Sequence, residues 1–288
     1  MTAVEGNDRE LLDHATRSIA VGSKSFAAAA QLFDPATRRS AVMLYAWCRH
    51  CDDVIDGQEA GHDARPVSQE EVNQRLAGLE AQTRAVYARM PPQTEAFAAF
   101  RDVVIRHGLK QAYALEHLAG FEMDVQQRQY VHIEDTLDYC YHVAGVVGLM
   151  MAQVMGVSDE RTLDRACDLG LAFQLQDDLL DYGGDTKAMG KNVGDDLAEG
   201  KPTLPLIQAM AVGTDDEAKL IRSAIRKGGL EHLDDVLAII NRTGSLEYTR
   251  EKAYKMADKA KTALDCLPDS IYKERLALFA DLAVKRSA

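Results

Sequence analysis

The chain has 288 residues, 47% hydrophobic and 27% charged, and its 33 basic against 45 acidic side chains leave a formal net charge of −12. That length suffices for one large or two small helical domains with a core deep enough to exclude water, while the acidic balance argues against gripping nucleic acid or an anionic membrane through clustered Lys and Arg. A polyanionic ligand would need a mediator, and a metal ion is the usual one.

Seven prolines and almost no alternating Val, Ile and Thr runs predict an all-α architecture. In chain order the predicted helices are 8–21, 36–57, 69–89, 93–107, 110–130, 134–155, 159–182, 202–212, 215–227, 230–242, 245–265 and 270–286. They are separated by Pro35, Pro91-Pro92, Gly183-Gly184, Pro202, Gly228-Gly229 and Pro268. The connections 57–66 and 183–200 are the long ones; neither reads as a domain linker, so a single domain is expected, with 57–66 its best candidate for a mobile segment. The polar start MTAVEGNDRE is unlike a targeting segment. The longest apolar stretch, VAGVVGLMMAQVMGV at 143–157, is broken by Gln153 and falls short of a bilayer span. Five scattered cysteines, Cys48, Cys51, Cys140, Cys167 and Cys266, fit a reducing compartment such as the cytoplasm. Cys48-x-x-Cys51 lacks the companion ligands of a zinc site.

Two acidic clusters stand out: Asp52, Asp53 and Asp56 in DDVID, and Asp177, Asp178 and Asp181 in DDLLD. On a helix, i and i+4 share a face and i+1 is adjacent, so each cluster directs carboxylates toward one region. At about 4 Å and an effective dielectric near 20, two such charges repel by about 4 kcal/mol. A hard divalent cation relieves this, and Mg²⁺, with Mn²⁺ as an alternative, bridges carboxylates to phosphates. The competing reading is a solvated acidic face. Each cluster is flanked by apolar residues, and the spacing repeats, which favours a shared metal site. Tyr45 and Arg49 precede the first cluster by helical steps. Arg49 has two readings, a bidentate phosphate ligand or a neutraliser of Asp52 and Asp53. Tyr141, Ala144, Gly145, Gly148 and Ala152 form a stripe of mostly small residues, suited to close helix packing or to an elongated apolar ligand, packing being the commoner use. Gly190-Lys191 and Gly200-Lys201 recur after the second cluster, and Lys191 and Lys201 could reach a phosphate or simply be solvated.

Together these residues resemble the trans-prenyltransferases of the class I terpenoid synthase fold, in two unlike parts. VGSKSF (21–26), TRRSAVMLYAWCRHCDDVID (37–56), GFEMDV (120–125), YCYHVAGVVGLMMAQVMGV (139–157) and RACDLGLAFQL (165–175) resemble bacterial phytoene synthase. LGLAFQLQDDLLDYGGD, GKNVGDDLAEGKPTLPLIQAM, GSLEYTREKA and ADKAKTALDCLPDS resemble octaprenyl and other polyprenyl diphosphate synthases. The seam falls in AFQL (172–175), on the helix carrying the second cluster. The first resemblance implies that Asp52 and Asp56 hold Mg²⁺, that Ser23, Lys24 and Phe26 form a flap over the substrate, that Tyr45 and Arg49 face the diphosphate, and that Tyr141 with the small-residue stripe lines a chain tunnel. The second implies that Asp177, Asp178 and Asp181 complete the metal site and that Gln174, Lys191 and Lys201 hold an allylic diphosphate. Phytoene synthases carry Asn and Arg where this chain has Asp177 and Leu180. The polyprenyl synthases' Gly-Lys-x-x-Arg-Pro segment and the Arg-Arg after their first cluster, which bind isopentenyl diphosphate, are absent. The leading expectation is therefore head-to-head condensation of two geranylgeranyl diphosphates to phytoene, without a nicotinamide. The alternatives are head-to-tail elongation with isopentenyl diphosphate, and a prenyl-diphosphate-binding protein without turnover. The resemblance is compatible with loose membrane association, as in phytoene synthases, and with a homodimer, as in polyprenyl synthases.

Overall fold

The structure is a computed structural model that describes residues 3–23, 26, 27, 30–57, 68–126, 133–183, 193–228, 230–266, 269 and 271–285. Among the described residues every regular element is helical, as the sequence predicts. In order these are α1 (Ala3–Gly22), α2 (Pro35–Asp56), α3 (Gln69–Tyr87), α4 (Glu95–His107), α5 (Gln111–Val125), α6 (Ile133–Cys140), a π-helical turn (Tyr141–Gly145) and α7 (Val146–Val154). They continue with α8 (Glu160–Gly183), α9 (Asp195–Ala198), α10 (Leu204–Val212), α11 (Asp215–Lys227), α12 (Leu233–Arg242), α13 (Ser245–Ala263), a 3₁₀ turn (Leu264–Cys266) and α14 (Ile271–Lys285). Of the two long connections, 58–67 and 184–192 lie outside the described residues.

Two spans differ from expectation. The predicted helix 134–155 is interrupted by the π turn, in which the Val146 amide bonds back to the Tyr141 carbonyl; periodicity does not reveal a single wide turn, and such turns often mark functional positions. Inside the predicted loop 183–200 a short helix forms from Asp195, entered through Gly194 at φ +86° and carrying Asp195 and Asp196 in its first turn. Four residues are too few for a periodic signal.

The residues group into two compact units, Met1–Gln126 with Leu149–Leu163, and Gln127–Gly148 with Asp164–Ala288. In the first, α2 is flanked by α1 and α4, and α3 lies along α5. Asp34 starts α2 by accepting from the Ala36 and Thr37 amides at 3.0 and 3.2 Å, with Pro35 at the first turn. Gly57, at φ +67°, ends it directly after Asp56. Fully buried Trp47 stacks on Phe100 with ring centroids 4.0 Å apart and planes 11° from parallel. Removing such a side chain from a core typically costs about 3–5 kcal/mol. Arg39 ties α2 to α4 through Asp102 at 2.5 Å, and Arg75 ties α3 to α2 by donating to the Val54 carbonyl at 2.8 Å.

In the second unit, α10 is apolar on all sides and accordingly packs against α6, α11, α12 and α13. One apolar cluster joins Leu197, Leu206, Ile221, Val236 and Ile240 with Tyr182. Another joins Cys140, Leu175, Leu204, Ala257 and Val284. The latter fixes the middle of α8, whose C-terminal part carries the second acidic cluster. Among the described residues no helix is long and apolar enough to cross a membrane.

Candidate functional site

In the first unit, the helical spacing of Tyr45, Arg49, Asp52 and Asp53 on α2 produces a compact polar group. The Arg49 guanidinium reaches Asp52 Oδ2 through Nη1 at 3.0 Å and Asp53 Oδ1 through Nε at 2.9 Å. The structure thus shows Arg49 in the neutralising role. Burial pushes the Tyr45 phenol up to about 12, against the pull of the adjacent guanidinium. Tyr45 is covered by the end of α1. A Cβ on Gly22 would stand 2.5 Å from the Tyr45 hydroxyl oxygen, so a side chain there would displace the phenol. The Phe26 ring lies 5.6 Å from the Tyr45 ring, and Ser23 Oγ accepts from the Phe26 amide at 3.2 Å. Ser23, Phe26, Tyr45, Arg49, Asp52 and Asp53 are therefore brought together, with Asp56 one turn beyond; Lys24 lies outside the described residues.

In the second unit the acidic cluster lies near the end of α8. Asp178 and Asp181 are buried and Asp177 is half-buried. The two oxygens of Asp178 have separate partners: Oδ1 accepts from Gln174 Nε2 at 3.0 Å, and Oδ2 from the Leu204 amide at 3.1 Å. Gln174, expected at the diphosphate, donates here to Asp178. Burial, then the charges of Asp196 and Asp177, push the Asp178 carboxyl up to about 7 against these two hydrogen bonds. The cluster spacing does not point to Asp196; its signal in the sequence is the acid pair Asp195-Asp196 lying between the two Gly-Lys pairs. The Asp196 amide donates to Asp181 Oδ1 at 3.4 Å, and the Gly194 amide to the Asp181 carbonyl at 3.0 Å. Lys201 pairs with Glu199 at 2.7 Å, and its amide donates to the Asp196 carbonyl at 2.8 Å. Lys191 lies outside the described residues.

Among the described residues, no three acidic, His or Cys side chains converge as a metal-binding group. The carboxylates have turned onto internal partners: Asp52 and Asp53 onto Arg49, Asp178 onto Gln174 and Leu204. Their chemistry still suits a hard dication, since all are oxygen donors.

The small-residue stripe does what close packing requires. A Cβ on Gly148 would approach the Ala166 carbonyl oxygen to 2.5 Å, and one on Gly170 the Ala144 carbonyl oxygen to 2.2 Å. Segment 141–148 and α8 therefore touch backbone to backbone. Tyr141 borders this seam: a Cβ on Gly145 would lie 3.3 Å from its ring.

Residues 19–220 match the squalene/phytoene synthase family. The phytoene synthase of Pseudescherichia vulneris is 65% identical over 165 residues, 57% of this chain and 53% of that protein. The octaprenyl diphosphate synthase of Escherichia coli (strain K12) is 56% identical over 119 residues, 41% of this chain and 37% of that protein. These two relatives bear out the two-part resemblance, and the chain spans about half the length of the phytoene synthase. A solved polyprenyl synthase from Caulobacter crescentus CB15, complexed with calcium and isoprenyl diphosphate, superposes with a TM-score of 0.71 at 28% identity, over 99% of this chain and 95% of its own. The helical architecture is thus the isoprenoid synthase fold, and with the family match extending from the end of α1 through both acidic clusters, the chain belongs to the squalene/phytoene synthase family.

Proposed function

We propose that this chain is a Mg²⁺-dependent prenyltransferase that joins two geranylgeranyl diphosphates head to head to form phytoene. The observation that carries the proposal is the assembly of Ser23, Phe26, Tyr45, Arg49, Asp52 and Asp53 in one unit, in a chain whose residues 19–220 belong to this family. Each unit offers its own proposed oxygen ligands for a metal, Asp52, Asp53 and Asp56 on α2 of the first and Asp177 and Asp181 on α8 of the second. Support comes from the oxygen-only donor set and from the calcium and isoprenyl diphosphate in the Caulobacter relative. Bound there, Mg²⁺ would offset the charge that develops on the departing diphosphate.

The protein's own groups have distinct tasks. Arg49 offers a planar fork of donors matched to phosphate oxygens. Tyr45, its phenol held near 12, stays neutral at physiological pH and donates a hydrogen bond without becoming an anion. Phe26 supplies a ring face that stabilises an allylic cation, and Ser23 with Phe26 screens it from water. Lys201 is the proposed second diphosphate contact. Condensation to phytoene needs no reductant, so no nicotinamide is called for. The greasy substrate is met at a membrane surface by an otherwise cytoplasmic protein, with no nucleic acid partner.

The close octaprenyl relative and the intact DDLLD favour a second reading, head-to-tail elongation. Purified protein with Mg²⁺ and geranylgeranyl diphosphate, with and without isopentenyl diphosphate, separates them. A hydrocarbon formed without isopentenyl diphosphate is the expected product. Longer diphosphates formed only in its presence would establish elongation instead, and tight binding without product in either mixture would overturn both.

A further inference from the structure

Residues 193–203, between the α8 cluster and α10, form a strap fastened at both ends. At the near end the Gly194 and Asp196 amides donate to Asp181, at 3.0 and 3.4 Å. At the far end Thr203 is the N-cap residue of α10, yet its hydroxyl makes no cap; it donates instead to the buried Tyr182 oxygen at 3.3 Å. The capping acceptor comes from elsewhere in the chain. Asp178 Oδ2 takes the Leu204 amide, the first in α10, at 3.1 Å, and Gln174, one turn back on α8, holds Oδ1 at 3.0 Å.

We propose that Asp178 is a positioning residue that caps α10 and holds the strap bearing Asp196 and Lys201 against α8, and that it is not one of the metal ligands. Asp178 is 2% exposed. An acidic side chain at a helix N-terminus is favourable both as acceptor and against the helix dipole. With Gln174 holding Oδ1 and the first amide of α10 holding Oδ2, both carboxylate oxygens are engaged inside the protein. Lys201 precedes Thr203 by two residues, and its own amide is bonded to the Asp196 carbonyl, so the anchor at Leu204 sets where the Lys201 backbone sits. The value of this position for catalysis rests on the function proposed above; the anchoring itself does not.

Asparagine at 178 can still accept from the Leu204 amide, and the Gln174 amide can turn to match the other end, whereas alanine can do neither. The test compares Asp178→Asn and Asp178→Ala by amide hydrogen exchange at Leu204 and by the Mg²⁺ half-saturation and KM of diphosphate release. In Asp178→Asn, Leu204 exchange and Mg²⁺ half-saturation should stay within about threefold of the parent. In Asp178→Ala, Leu204 should exchange at least tenfold faster and KM should rise. A tenfold shift in Mg²⁺ half-saturation in Asp178→Asn with Leu204 still protected would make Asp178 a ligand and overturn the proposal. Unchanged Leu204 protection in Asp178→Ala would overturn it equally. Should the alanine variant not fold, Gln174→Leu provides the second measurement: it frees the carboxylate rotamer, and faster Leu204 exchange is expected, while unchanged exchange would count against the anchor. Exchange requires no turnover, so a parent protein that releases no diphosphate would defeat the proposed function while leaving the anchor decided.

Discussion

Two glycines inside helices make opposite predictions for the same substitution. Gly78, within α3, has nothing within 4 Å of an added Cβ. Replacing it with alanine therefore brings only the helix-propensity gain, about 0.5–1 kcal/mol. Gly170, within α8, gains as much from propensity, but its new methyl would stand 2.2 Å from the Ala144 carbonyl oxygen and 2.9 Å from Gly145 Cα. Ordinary contact begins near 3.4 Å, so the two backbones must part by roughly 1 Å, and neither partner is a flexible side-chain end. Overpacking of this kind costs about 1–3 kcal/mol, here toward the upper end, which leaves a net loss of about 1–2 kcal/mol. At this length about 1 kcal/mol corresponds to roughly 2 °C in Tm. Gly78→Ala should melt about 1–2 °C higher than the parent and Gly170→Ala about 2–4 °C lower, measured by far-UV circular dichroism in one buffer. Gly170→Ala melting at or above the parent would refute the close approach of segment 141–148 to α8. Because α8 also carries Asp177 and Asp181, a shift of this size should lower turnover as well, by up to about a hundredfold.

Asp52→Ala and Asp181→Ala should each abolish Mg²⁺-dependent diphosphate release, read by pyrophosphate assay; full turnover in either would eliminate that residue as a ligand. Trp47→Ala should destabilise by about 3–5 kcal/mol, seen as a lower urea midpoint, because the indole is fully buried against Phe100. In metal-free protein, Asp178 binds its proton more tightly folded, near 7, than unfolded, near 3.8. Between those values the folded state carries more protons, so its share of stability is present at low pH and is lost as pH rises toward 7, by at most about 4 kcal/mol. Urea midpoints of chelator-treated protein at pH 5 and 8 should show this fall, and Asp178→Asn should flatten it. Cys51 and Cys140, buried with thiols pushed well above their usual value, should react with a disulfide reagent only on unfolding.

The helices were legible because each carries its own punctuation: Asp34-Pro35 opens α2, Gly57 and Gly108 close α2 and α4, and Thr214 with Glu217 forms a capping box on α11. The group around Tyr45 was legible for the same reason, since Tyr45, Arg49, Asp52 and Asp53 lie within about two turns of one helix. What the spacing does not reveal depends on contacts made across the chain. Gln174 and Asp178 are one turn apart and look like two functional groups, but the partner that defines them is the Leu204 amide. Asp196 gains its influence on Asp178 only once the strap folds back on α8. The π turn at Tyr141 is a matter of one extra residue in a helical circuit, which no hydrophobic pattern records.

Arg49 gives the first acidic cluster a tethered counter-ion. Its effective concentration at Asp52 and Asp53 is fixed by helix geometry and does not vary with the medium. Any dication seeking those carboxylates is therefore a competitor and must outbid a resident charge, so free metal is held less tightly than three bare aspartates would hold it. The exchange is not symmetrical. A guanidinium displaced from its carboxylates would stay on the same helix, and under the proposed function a diphosphate arriving with the metal would accept from it. Under that function cation and anion would be favoured as a pair over either alone, which would make the site selective for the metal-bound form of the proposed substrate.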